Sequence, residues 1–119
     1  MKKTVVISAS LKPYKYSNKV VCLLSDNEYE VVAIGAKNGM IKNIEVLTEK
    51  ISVREVDTVT LYLSAQKQVE YYDYILGLRP KRIIMNPGAE NDELKVLAEN
   101  SNIEVVEHCT LIMLNMGIY

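Results

Sequence analysis

Val5-Val6-Ile7 runs directly into Ser8-Ala9-Ser10, and no acidic residue occurs between Ser8 and Ser25. A short β-branched run of this kind suits a strand covered on both faces, hence a parallel sheet flanked by helices. The three small residues that follow let the backbone turn and approach a ligand closely. Pro13 forbids an early helix and holds Lys12 extended, so the first helix is expected to begin near Ser17 or Asn18, either of which can cap it. The unpaired N–H groups of a first helical turn carry roughly half a positive charge, and Lys12, Lys15 and Lys19 surround this one. A phosphate or diphosphate is the natural guest. The competing reading is a packing turn: every parallel α/β domain has such junctions, and the dinucleotide fingerprint G-x-G-x-x-G needs glycines that this loop lacks.

The 119 residues predict a single domain. A net charge of −1 with 49% hydrophobic and 24% charged residues argues against general attraction to nucleic acid or an anionic membrane, so any basic patch is local. No apolar run approaches the roughly 20 residues of a membrane span, and the N-terminus shows no cleavage-site pattern; a cytoplasmic protein is expected. Two cysteines are too few for a disulfide scaffold, and Cys22 within Val20 to Leu24 reads as packing. His108 is the single histidine, and no metal-ligand spacing surrounds it. His108 and Cys109 as base and nucleophile would be neighbours on an extended chain, which point to opposite faces. No catalytic set is evident.

Along the chain, Asn18 to Asn27 reads as a helix, Tyr29 to Ile34 as a second strand, and Asn38-Gly39 as a turn. Lys37 stands where nicotinamide-binding folds usually carry an acid for the ribose hydroxyls; with Gly35 beside it, it suits a nucleotide with an extra ribose phosphate, or else it is a solvated turn residue. Met40 to Val56 is irregular, with short edge-like segments crossing the sheet and a helical turn near Ser52 to Glu55. Asp57 to Leu63 is the third strand and Ser64-Ala65 its loop. Gln66 to Leu76 reads as one helix burying Val69, Tyr72, Ile75 and Leu76 and stopped by Gly77. Arg82 to Met85 is the fourth strand. Asn86-Pro87-Gly88-Ala89 follows at the strand end where open α/β sheets bind ligands. Asn91 caps a helix over Asp92 to Ser101 that buries Leu94, Leu97 and Ala98; Glu90, Asp92 and Glu93 at its start repel phosphate. The first helix therefore takes the anion, and the Asn86 loop offers contacts to an uncharged part of the ligand. Ile103 to Val106 is the fifth strand, and the apolar tail from Cys109 to Met116 closes the core or supports a homodimer or a protein partner. The expected fold is an α/β, Rossmann-like three-layer domain with a five-stranded, mainly parallel, doubly wound sheet. The first and fourth strands are expected to flank the crevice, bringing Ser8-Ala9-Ser10 and Asn86-Pro87-Gly88 together.

Taken together, these segments resemble the small single-domain CoA-binding proteins related to the CoA-binding module of succinyl-CoA synthetase, over essentially the full length. Val6-Ile7-Ser8-Ala9-Ser10 resembles that family's V-I-G-A-S opening, Ser17 to Val20 its S-x-x-V helix start, and Asn86 to Glu93 its Q-P-G-x-x-N-E-E segment. Ile103 to Cys109 resembles its closing G-I-x-V-V-x-x-C, and Lys37 falls where the family often has a lysine. Ser8 replaces the usual glycine, Gly35-Ala36 an Asn-Pro pair, and Asn86 a glutamine. The resemblance implies that coenzyme A or an acyl-CoA is the ligand. Its diphosphate would lie at the helix after Ser8-Ala9-Ser10, near Tyr16, Ser17 and Asn18, with the hydroxyls of Ser10 and Ser17. Lys37 or Lys12 would meet the ribose phosphate, and Tyr62-Leu63-Ser64 and Asn86 to Gly88 would border adenosine and pantetheine. An NADP-dependent oxidoreductase or redox sensor, and an interaction subunit that has lost its ligand, are the alternatives.

Overall fold

The computed structural model describes residues 2–119. Seven strands form one sheet: β1 (Lys3–Ile7), β2 (Glu30–Ile34), β3 (Gly39–Ile41), β4 (Ile44–Leu47), β5 (Thr58–Leu61), β6 (Arg82–Met85) and β7 (Glu104–Glu107). They lie in the order β3-β4-β2-β1-β5-β6-β7. Every pairing is parallel except that of β3 with β4. The helices are α1 (Tyr16–Asp26), α2 (Ala65–Gln68), α3 (Tyr72–Gly77), α4 (Asp92–Asn100) and α5 (Thr110–Met116), with a 3₁₀ turn at Val69–Tyr71 between α2 and α3.

Strand residues alternate between two cores. Val5, Ile7, Val59, Leu61, Ile83 and Met85 face Ile75 of α3 and Leu94 and Ala98 of α4. On the other face Val6, Ala33 and Val46 meet Val20, Val21 and Leu24 of α1, with Leu111 and Leu114 of α5 packed alongside. The sheet is thus the middle of three layers, and β1, apolar on both faces as its β-branched run requires, is its central strand.

The five-stranded expectation is corrected to seven. Residues 39–47 do not cross the sheet; they form a hairpin that joins its edge, β4 running parallel to β2 at Ala33–Val46 and Ile34–Leu47. The turn is at Lys42-Asn43, where Lys42 has φ +52°, rather than at Asn38-Gly39. Gly39 belongs to β3, paired with Val46, and Leu11 occupies the space beside it: a Cβ there would lie 2.7 Å from Leu11 Cδ1. No helical turn forms at Ser52 to Glu55.

The helix foreseen over Gln66 to Leu76 is broken into three pieces. Of the expected stripe Ile75 is buried and Tyr72 and Leu76 pack against the core, but Val69 is 56% exposed and Gln68 is fully buried in its stead. The Gln68 amide donates to the carbonyls of Leu63 and Ala89, both at 2.8 Å, and that demand outweighs the apolar gain of burying Val69. Gly77 is the last residue of α3, and the left-handed position beyond it belongs to Arg79. Leu97 on α4, expected to be buried, is 38% exposed.

β1 has β2 on one side and β5 on the other, so the winding reverses between β1 and β5, not between the first strand and Arg82–Met85. The loops after β1 and β6 nevertheless line one cleft, across the end of β5. Among the described residues no helix is long and apolar enough to cross a membrane.

Candidate functional site

A cleft of about 940 Å³ opens along the C-terminal ends of β1, β5 and β6. Its wall is the segment from Ser8 to Ser17, built by its own hydrogen bonds. Ser8 and Ala9 both donate to the Ile34 carbonyl, at 2.8 and 2.9 Å, which ties the chain to the end of β2. Ser10 N–H donates to Ser17 Oγ at 3.1 Å, Lys12 N–H donates to Ser10 Oγ at 3.1 Å, and Asn18 Nδ2 donates to the Ser10 carbonyl at 2.9 Å. Both serine oxygens act here as acceptors, so their hydroxyl hydrogens remain free to donate to a guest. Ser8 holds φ +75°, a left-handed conformation that glycine adopts without strain. That geometry accounts for the glycine in the V-I-G-A-S pattern.

The helix begins at Tyr16, two residues before the expected start, with Lys15 as an N-cap that makes no side-chain cap bond and no acid in the first turn. Ser17 and Asn18 are consequently buried inside the helix and brace the loop instead of capping. The Pro13 turn, closed by Lys15 N–H to the Lys12 carbonyl at 3.1 Å, delivers the chain in helical direction earlier than Pro13 alone suggests. The N–H groups of Tyr16, Ser17 and Asn18, the first of the helix, have no intrahelical acceptor. Lys12, Lys15, Lys37 and Lys67 line the same cleft, and none forms a salt bridge among the described residues.

Of the residues singled out in the sequence, Ser8, Ala9, Ser10, Lys12, Tyr16, Ser17, Lys37, Tyr62, Asn86 and Pro87 line the cleft. Asn18, Gly35, Leu63, Ser64 and Gly88 do not. A Cβ on Gly35 would come within 2.2 Å of the Ala9 carbonyl, so this glycine lets the first two loops touch. Leu63 packs on the opposite core, Ser64 is the N-cap of α2, and the Gly88 N–H is already taken by Glu90 Oε1 at 2.9 Å. Asn86 turns inward: its amide donates to Thr60 Oγ1 and the Leu61 carbonyl, and its Oδ1 accepts from Thr110 N–H at 2.8 Å. It shapes the cleft with polar atoms that are committed to the fold.

The sequence reading passed over Leu11, Tyr14, Ala36 and Lys67 as lining residues, and gave Lys15 only an electrostatic part. Lys67 carries no local signal, because a lysine on a short helix looks like any solvated one. Cys109 also reaches the cleft, and its backbone N–H donates to His108 Nδ1 at 2.8 Å. The Tyr62 hydroxyl is buried without a hydrogen-bond partner. Burial, and next the nearby Cys109, push its phenol far above the usual range, so it stays protonated. Among the described residues no cluster of histidine, cysteine and carboxylate suits a metal.

A mostly parallel sheet between two helical layers, with a cleft at the C-terminal ends of its central strands, defines a Rossmann-like α/β domain. Residues 2–115 match the family described as CoA binding domain, and the chain belongs to that family. A solved structure described as an uncharacterized protein is 39% identical, covers 100% of this chain and 98% of its own, and superposes with a TM-score of 0.96. Cell-free ID.343 from Thermus thermophilus is 17% identical, with a TM-score of 0.86 over 99% of this chain and 90% of its own. A hypothetical protein from Pyrococcus horikoshii OT3 is 19% identical, with a TM-score of 0.86 over 97% and 82%. These two share the fold. No match was found among curated proteins.

Proposed function

We propose that the protein binds coenzyme A or an acyl-CoA in this cleft, as a nucleotide-binding protein without catalytic residues of its own. The observation that carries the reading is the uncapped, acid-free start of α1, set beside lysines with no acidic partner in a chain of the CoA-binding-domain family. In this reading the diphosphate lies on the N–H groups of Tyr16, Ser17 and Asn18 and accepts from the hydroxyls of Ser10 and Ser17. Lys37 or Lys12 meets the ribose phosphate, and Tyr62 and Pro87 border the pantetheine arm.

Calorimetric titration with CoA, dephospho-CoA and NADPH tests it. CoA is expected to bind several-fold more tightly than dephospho-CoA, and Lys37→Ala with Lys12→Ala to remove that difference. Absence of CoA binding overturns the proposal in favour of an interaction subunit. Tighter binding of NADPH than of CoA overturns it in favour of the oxidoreductase or sensor.

A further inference from the structure

Tyr14 lines the cleft yet is 65% exposed, as open as any large apolar side chain among the described residues. An aromatic ring presented so openly on a mobile loop would be unremarkable, but this loop is pinned on both sides. Leu11 seats against Gly39, the Lys12–Lys15 turn is closed by a backbone hydrogen bond, and Ser10 is tied to Ser17 and Asn18. The backbone that carries the ring is therefore held at the rim, so a ligand has only the side chain to order. Lys15 Nζ lies over it, 5.8 Å from the centroid, and Lys12 flanks it in sequence.

Resting on the CoA reading above, we infer that the face of Tyr14 is the seat of the adenine base. The flat, wide end of such a ligand needs an open aromatic face, which accepts a base by stacking. The thin pantetheine arm suits the stretch of the cleft lined by Tyr62, Pro87 and Cys109. Stacking on Tyr14 also places the ribose and its phosphate beside Lys12, one of the two lysines assigned to that phosphate above.

The test titrates wild type, Tyr14→Phe and Tyr14→Ala with CoA and with 4′-phosphopantetheine, which lacks the adenosine. Tyr14→Ala is expected to weaken CoA about tenfold or more, Tyr14→Phe to match wild type, and 4′-phosphopantetheine to bind all three equally. Unchanged CoA affinity in Tyr14→Ala overturns the inference and leaves the CoA reading standing. Equal loss for both ligands also overturns it, because the side chain then acts through the loop. Failure of wild type to bind CoA overturns both.

Discussion

Two helices, α1 and α4, begin at the same edge of the sheet and end oppositely prepared. The start of α4 is closed: Asn91 Oδ1 accepts from Leu94 N–H at 3.2 Å, and Asp92 and Glu93 sit in the first turn. The start of α1 has neither cap nor acid. A cap contributes about 1 kcal/mol and a first-turn acid about 0.3–1 kcal/mol, so α1 forgoes local stability that α4 uses. It can do so because Val20, Val21 and Leu24 are fully buried, whereas α4 buries only Leu94 and Ala98. Core burial holds α1 in place and leaves its first donors for a guest; α4 depends on its cap.

Making α1 resemble α4 gives the largest expected effect. Tyr16→Glu places an acid on the exposed first residue of α1, and CoA affinity is expected to fall about a hundredfold through like-charge opposition. The same variant should melt slightly higher, because the acid complements the helix dipole. Titration and thermal melting of one preparation read both signs, and a loss of both would break the comparison.

Removing the α4 cap comes next. Asn91 also donates to Gln68 Oε1 and to the Tyr72 hydroxyl, so Asn91→Ala should cost about 2 kcal/mol in denaturant unfolding. CoA affinity should stay within about twofold; a larger loss would mean that the two helix starts are not independent. Ser8→Gly relieves the left-handed backbone before α1 and should stabilise by about 1 kcal/mol. It should also tighten CoA binding if the Ser8 side chain crowds the diphosphate, which titration of the variant decides. The smallest change is expected from Asp92→Asn, which should lower stability by about 0.5 kcal/mol and create no CoA-competing anion site on α4.

Much of this contrast was legible before any coordinates. The acids after Asn91 and the acid-free stretch after Ser8 are read directly from the residues, and they distinguish the start of α1 from that of α4. The cap itself was misplaced, since Ser17 and Asn18 look like N-caps until the Pro13 turn starts the helix at Tyr16. Asn86 was legible as a loop residue near the cleft. Its orientation was not, because its partners Thr60 and Thr110 lie 26 and 24 residues away.

By itself the sequence determined the succession of buried strands and amphipathic helices, because β-branched runs and helical spacing act within a few residues. It also determined the lysine-rich, acid-free loop and the family resemblance. Only the tertiary structure decided the seven-stranded order, the hairpin on the β2 edge, the burial of Gln68 and the arrival of Lys67 and Tyr14 at one cleft. Those outcomes depend on partners far apart in the chain. The Ala89 carbonyl that Gln68 satisfies is 21 residues distant, and no local pattern records a hydrogen bond that exists only once the sheet has brought its loops together.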